Sequence, residues 1–104
     1  MPKAMVDVTI VPIGTANTSI SSYVAACERL LKQFPDIHYN LNPMSTTLEG
    51  ELDRVLELIR RMHEAPFEQG AYRVSTTIRI DDRRDAANTM QGKINTVREK
   101  AGLQ

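Results

Sequence analysis

The residue types that could perform chemistry are sparse in this chain, and their spacing disfavours a catalytic or metal centre. Cys27 is the single cysteine and falls on the apolar stripe of a predicted helix, where a buried, unreactive thiol is expected. His38 lies on the polar face of a predicted strand, and no second His or Cys stands at metal-ligand spacing from it. His63 follows Met62 near the end of a predicted helix, a position typical of packing or surface exposure. The signatures of an enzyme are therefore weak, and we predict no metal site and no cofactor.

A second group of charged side chains follows the clearest predicted strand. Asp81, Asp82 and Asp85 could coordinate a hard cation, but Arg83 and Arg84 are interleaved with them. The acidic spacing of a calcium loop is missing as well. We expect local ion pairs in a solvated connection, together with a helix N-cap.

Composition limits the function classes further. The 104 residues carry 13 Lys and Arg against 13 Asp and Glu, so the formal net charge is zero. Nucleic-acid binders and polybasic membrane modules usually carry a basic surplus, and no apolar run approaches the ~20 residues that span a bilayer. A single domain over residues 1–104 is expected. The single cysteine, and an N-terminus without a signal-peptide core, favour a cytoplasmic setting.

Hydrophobic patterning predicts seven secondary-structure elements that position these side chains. Alternating or extended patterns predict strands over residues 5–12, 37–41, 44–49 and 72–80. Apolar residues at helical spacing predict helices over residues 19–34, from 51 or 53 onward, and over 87–101. We expect Pro66 to kink or end the second helix, and Gly50 to end the hairpin that precedes it.

The predicted order β-α-β-β-α-β-α matches a ferredoxin-like βαββαβ sandwich, an α+β fold, with an additional C-terminal helix. Two helices would cover one face of a four-stranded antiparallel sheet, because each predicted strand has one apolar and one polar face. Periodicity alone does not place the third helix. The polar parity assigns these residues to the uncovered face: Asp7, Thr9, His38, Asn40, Ser45, Thr47, Glu49, Arg73, Ser75, Thr77 and Arg79.

Three roles are open for such a polar sheet face. It could face water, it could pack against the sheet of another subunit, or it could hydrogen-bond a small polar ligand. RNA binding is disfavoured, because Tyr39 and Tyr72 fall on the covered parity and leave no aromatic platform for stacking bases.

Four segments carry a resemblance to a known family. They are VPIGT at residues 11–15, TTLEG at 46–50, the run from Arg73 to Arg79, and IDDRRD at 80–85. In this order and spacing they resemble the thiamine-binding protein family, small ferredoxin-like proteins of the YkoF-like superfamily, over nearly the whole chain. The resemblance implies a non-enzymatic protein that binds thiamine or a related hydroxymethylpyrimidine. It also implies a homodimer or homotetramer that associates through its sheets, with the ligand held near the sheet and the subunit interface.

This resemblance focuses attention on five residues as ligand contacts. Thiamine has an aminopyrimidine that exchanges hydrogen bonds and a cationic thiazolium that suits a carboxylate. Thr46, Thr47 and Glu49 offer those groups, and Gly14 and Thr15 lie in a loop that can approach a ligand closely. A salt bridge that orders the turn is the competing role for Glu49.

Two other functions stay open at this point. One is a small ferredoxin-like enzyme that acts on a heterocyclic substrate, and the other is a structural homo-oligomer without a ligand. Arg73 and Arg79 are too far apart along one strand to form a single clamp. We expect them to make separate ion pairs, at least one of them between subunits.

Overall fold

The protein is described here from a computed structural model, which describes residues 3–14, 21–85 and 89–102. Seven elements follow in the predicted order. They are β1 (Lys3–Ile13), α1 (Ser21–Leu31), β2 (His38–Leu41), β3 (Thr46–Glu51), α2 (Leu52–Glu68), β4 (Arg73–Asp81) and α3 (Met90–Lys100). The predicted first helix is shorter than expected, because α1 ends at Leu31 although Phe34 is still buried.

The four strands form one antiparallel sheet in the order β2-β3-β1-β4. This order places the two longest strands, β1 and β4, side by side, and it leaves β2 and β4 as edges. The predicted α+β ferredoxin-like fold is thereby confirmed.

The two faces of the sheet follow the sequence parity. On β1, Ala4, Val6 and Val8 are buried under the helices, whereas Asp7 and Thr9 point to the other face. Strand register extends this division, since Val6 pairs with Leu48 and Asp7 pairs with Thr47. The uncovered polar face therefore has the composition that the alternation predicts.

Helix α2 supplies most of the cover. Its buried residues recur at helical spacing and are Val55, Leu58, Ile59, Met62, Ala65 and Pro66. Gly50 lies inside β3 rather than ending it, and a Cβ there would stand 3.3 Å from Ile37 and 3.5 Å from Val55. The missing side chain lets those two residues pack closely against the strand.

Pro66 lies within α2, and the helix continues past it to Glu68. Of the two expectations for Pro66, a kink or an end of the helix, the end was wrong, because α2 continues for two residues beyond it. Proline has no N–H to donate to the carbonyl four residues earlier, which belongs to Met62. The thiol of Cys27 on α1 donates to that carbonyl oxygen instead, with a sulfur–oxygen distance of 3.5 Å. The two helices are thus joined at the position where α2 lacks a backbone hydrogen bond.

His63 has the packing role expected from its position. Its Nδ1 lies 2.6 Å from the hydroxyl oxygen of Thr76 and so joins α2 to β4. Its ring also meets Phe67 edge to face, with the ring centroids 5.6 Å apart.

Helix α3 begins against the uncovered face of the sheet, near the start of β1. Thr89 caps it by accepting from the amide of Gly92 at 2.9 Å. The amide of Met90 donates to the carboxylate of Glu49 at 3.4 Å, and Lys93 pairs with Asp81. Beyond this first contact the helix buries no residue. This contact fixes the position of α3 relative to the sheet, which hydrophobic periodicity alone does not predict.

The charged connection after β4 forms the local ion pairs that were predicted, whereas the helix N-cap expected from it is supplied by Thr89 instead. Arg83 pairs with Asp85 at 2.7 Å and Arg84 with Asp82 at 2.8 Å, both between exposed or half-exposed side chains. No group of three His, Cys, Asp or Glu side chains within the described ranges converges on a possible metal position. In the same ranges, none of the helices has the length and apolar character needed to cross a membrane.

Candidate ligand-binding site

A cavity of about 300 Å³ opens between α1, the second half of β1 and the turn that joins β2 to β3. It lies on the side of the sheet that carries the helices. Its apolar walls come from β1, both covering helices and the hairpin, chiefly through Val8, Ile10, Val24, Leu31, Leu41 and Met62. Such an apolar concavity with a few polar groups is the usual form of a small-molecule site.

Polar groups gather at one side of this cavity. They belong to Tyr23 on α1, Thr46 at the start of β3, and Asn42 and Ser45 in the hairpin turn. Hydroxyl and amide groups of this kind both donate and accept hydrogen bonds. The cavity can therefore orient a flat heterocycle that has both donors and acceptors.

A hydrogen-bond network on the other face of the sheet holds the hairpin turn in place. The hydroxyl of Ser45 donates to Asp7 at 2.7 Å, and the side-chain amide of Asn42 donates to the hydroxyl of Thr47 at 2.7 Å. The backbone amide of Asn42 also donates to the carbonyl of Ser45 at 2.9 Å. The polar rim is thus positioned by strand residues that do not line the cavity themselves.

Glu28 is the one charged side chain on the wall of the cavity, among the residues that the structure describes. It follows Val24 by four residues and precedes Leu31 by three, so it shares their face of α1. Glu28 was not predicted from the sequence as a ligand contact, because the family resemblance pointed to Glu49 on a strand. A signal was present, since an acid at helical spacing within an apolar stripe departs from the usual pattern.

Cys27 also lines the cavity. Burial raises the pKa of its thiol, and the thiol group already donates to Met62. Because the thiolate is the nucleophilic form, this cysteine is kept in its unreactive form at neutral pH. Its predicted role as a buried, inert thiol agrees with this placement.

Of the five predicted ligand residues the structure describes four, and it does not bring these four together. Thr46 lines the cavity. Thr47 points to the other face, and Glu49, only 8% exposed, accepts from the first amide of α3 there. Gly14 lies at the end of β1 with a φ of 77°, outside the cavity wall, and Thr15 lies outside the described residues.

The two arginines of β4 stand on the uncovered face as predicted. Arg79 is opposite Asp7 and Arg73 is opposite Ile13 in the register with β1. Neither guanidinium has an ion pair with any residue that the structure describes. Glu49 on the same face accepts from the amide of Met90 on α3 and makes no ion pair with a described residue.

Comparison with known proteins agrees with the fold and with the family resemblance. The chain is 48% identical over 97 residues to the UPF0045 protein YqgV of Bacillus subtilis, covering 90% of this chain and 93% of that one. The solved structure of a hypothetical protein from Methanocaldococcus jannaschii superimposes with a TM-score of 0.83 at 32% identity. That superposition covers 93% of this chain and 97% of the other.

A protein of Thermotoga maritima, provisionally assigned to thiamine biosynthesis or salvage, shares the fold. Its TM-score is 0.75 at 22% identity, over 93% of this chain and all of that one. A sequence profile described as thiamine-binding protein matches residues 6–98 of this chain. The match spans three strands and two helices completely and most of β1 and α3, and on this evidence the chain belongs to the thiamine-binding protein family.

Proposed function

We propose that this protein binds thiamine or a related hydroxymethylpyrimidine in the cavity between α1, β1 and the β2–β3 turn. The observation that carries the proposal is the cavity itself, in a chain of this family. It has apolar walls, a polar rim and one carboxylate. Its volume of about 300 Å³ lies at the small end of the range for ligand pockets.

The chemistry of the rim supports a pyrimidine ligand. An aminopyrimidine ring is flat, donates through its amino group and accepts through its ring nitrogens. The hydroxyl groups of Thr46 and Tyr23 on the cavity wall can each donate or accept, whereas the side chains of Ser45 and Asn42 are already hydrogen-bonded to Asp7 and Thr47. The apolar walls match the ring faces, whose removal from water favours binding.

Binding without chemical conversion is part of the proposal. General acid–base catalysis needs a proton donor and acceptor poised around the reacting atoms. The described cavity wall offers a single carboxylate, and its thiol is held in the protonated form by burial. These features favour a binding protein over an enzyme that converts a heterocyclic substrate.

Isothermal titration calorimetry with thiamine tests the proposal. Val24→Phe places a larger side chain into the cavity and should reduce thiamine affinity at least tenfold, since it removes the ligand's space. Val97→Phe makes the same change on α3, where Val97 is 65% exposed, and should leave affinity unchanged. Mass spectrometry of the ligand after incubation should recover it intact.

Three results would count against the proposal. Failure of the wild-type protein to bind thiamine or the pyrimidine would favour a ligand-free structural oligomer. Conversion of the ligand would favour an enzyme. Full affinity in a correctly folded Val24→Phe variant would place the ligand elsewhere.

We further propose that the protein forms a homodimer or homotetramer. Strand β4 is an unpaired edge, and Ile78 and Ile80 on it are 42% and 46% exposed. An apolar edge strand left in water invites pairing with another chain. The exposed Ile94 and Val97 of α3 add apolar area that association would bury.

A further inference from the structure

The carboxylate of Glu28 lacks a partner within the described part of the chain. The residue is half-buried on α1, and neither an ion pair nor a hydrogen bond to its side chain is formed by any described residue. The chain segment over residues 15–20 also contains no Lys, Arg or His. A carboxylate on a mostly apolar wall thus has no ion-pair partner among the residues that the structure describes.

Such a carboxylate attracts a cation more strongly than one in open solvent. The apolar surroundings lower the effective dielectric constant, which increases the Coulomb attraction at a given distance. They also remove part of the hydration that the charge would otherwise have. A positively charged ligand that enters the cavity would supply the missing partner.

We propose that Glu28 recognises the positive charge of the ligand and so makes the site selective for cationic thiamine over its neutral pyrimidine half. This inference rests on the proposed binding of thiamine-like ligands in the same cavity. The pyrimidine ring would contact the polar rim, and the thiazolium would lie towards α1. Glu28 thereby takes the role that sequence analysis had assigned to Glu49.

Glu49 does not compete for this role. Its carboxylate lies on the opposite face of the sheet and accepts from the amide of Met90. Since a sheet separates it from the cavity, it cannot contact a ligand there. The two possible roles therefore predict different results. If Glu28 binds the cation, Glu28→Gln lowers thiamine affinity and Glu49→Gln does not.

Calorimetric titration of wild type, Glu28→Gln and Glu68→Gln with thiamine and with hydroxymethylpyrimidine tests the inference. Glu28→Gln keeps the size of the side chain and removes its charge, so thiamine affinity should fall roughly tenfold or more. Affinity for the neutral pyrimidine should change less than about twofold, because that ligand carries no charge to lose. Glu68→Gln, on the exposed end of α2 outside the cavity, should bind both compounds like wild type.

A salt titration of the wild-type protein provides a second measurement that needs no variant. Raising the ionic strength from about 0.05 M to about 0.5 M should weaken thiamine binding, since salt screens charge attraction. Binding of the neutral pyrimidine should hardly change.

The outcomes separate this inference from the proposed function. Equal losses for both ligands in a folded Glu28→Gln variant, or no loss for either, would overturn the role of Glu28 while leaving thiamine binding in place. A tenfold thiamine-specific loss in Glu49→Gln with none in Glu28→Gln would return the role to Glu49. Absence of binding to the wild-type protein would overturn both proposals.

Discussion

Arg54 connects three side chains at the start of α2. It donates to Asp36 at 2.9 and 3.0 Å and to Glu57 at 2.9 Å. Its guanidinium also lies 4.4 Å from the ring centre of the buried Phe34. The residue thereby ties the connection after α1 to the helix that covers the sheet.

Because of the ion pair between Arg54 and Asp36, the free energy of unfolding should depend on pH in the acid range. The hydrogen bonds from Arg54 lower the pKa of Asp36 below its ordinary value. An acid whose pKa is lower when folded stabilises the fold above its unfolded pKa, about 3.9, and loses that contribution as the pH falls through the folded pKa. Arg54→Met should therefore reduce stability near neutral pH, and the difference from wild type should shrink at about pH 2.

Urea unfolding of both proteins across this pH range is the measurement. Arg98→Met, on the exposed α3 and without an ion pair to any described residue, is the control and should show no such trend. A wild-type advantage over Arg54→Met that stays constant with pH would mean that packing on Phe34, rather than the ion pair, carries the effect.

At the residue scale, the sequence predicts whether a side chain is buried or pairs with a near neighbour. It does not predict which distant residues the side chain meets in the fold. It correctly predicts that Cys27 is buried and that Arg83 and Arg84 pair locally, because hydrophobic spacing and near neighbours are readable from one chain. It does not reveal Glu28, whose significance depends on a cavity that forms only when α1, β1 and the hairpin meet.

Helices α1 and α2 are coupled at one defined point. Pro66 leaves the carbonyl of Met62 without a backbone donor, and the thiol of Cys27 takes that place. A thiol is a weak donor, but a buried carbonyl left unpaired is unfavourable. Cys27 and Pro66 therefore compensate for each other.

A double-mutant cycle measures this coupling. Cys27→Ala should destabilise the wild-type protein more than it destabilises Pro66→Ala, where residue 66 regains an N–H for Met62. We expect a coupling free energy of about 0.5–1 kcal/mol, obtained from urea unfolding of the four proteins. Cys27→Ser retains a donor and should recover part of the loss. Additive effects of the two substitutions would show that the thiol contributes only its volume.

Element order and type follow from periodicity, whereas element boundaries and the place of α3 do not. Strand alternation and helical spacing are local, so seven elements could be predicted in order. Pro66 lies inside α2 because a partner from another helix satisfies the freed carbonyl. The position of α3 depends on Glu49, Asp81 and their contacts to residues distant in sequence.

At the scale of the whole molecule, several apolar side chains are exposed and two arginines lack an ion pair with a described residue. Ile78 and Ile80 on the edge strand and Val97 on α3 are exposed, and Arg73 and Arg79 have no ion pair with a described residue. Association of several copies would bury the apolar groups and could pair the arginines. The topology was predictable from the order of elements, but the surface that a second copy would use requires the folded chain.

Multi-angle light scattering should therefore give a mass at least twice the 11.7 kDa of one chain at micromolar concentration. Arg79→Ala should weaken association more than it lowers thermal stability, because its proposed partner is on another subunit. Arg60→Ala serves as the control, since Arg60 pairs with Glu64 on its own helix. A monomeric wild type would contradict the proposed assembly, and a stability loss with unchanged mass would place the partner of Arg79 within the same chain.

The central claim is that thiamine occupies the cavity on the helix-covered side of the sheet. Amide chemical-shift mapping of the ¹⁵N-labelled protein during a thiamine titration tests it most directly. The account predicts that the largest shifts occur at cavity residues, among them Val24, Cys27, Glu28 and Thr46, while Ser75 and Thr77 on the uncovered face hardly move. Shifts concentrated on that uncovered face, or none at saturating thiamine, would contradict it.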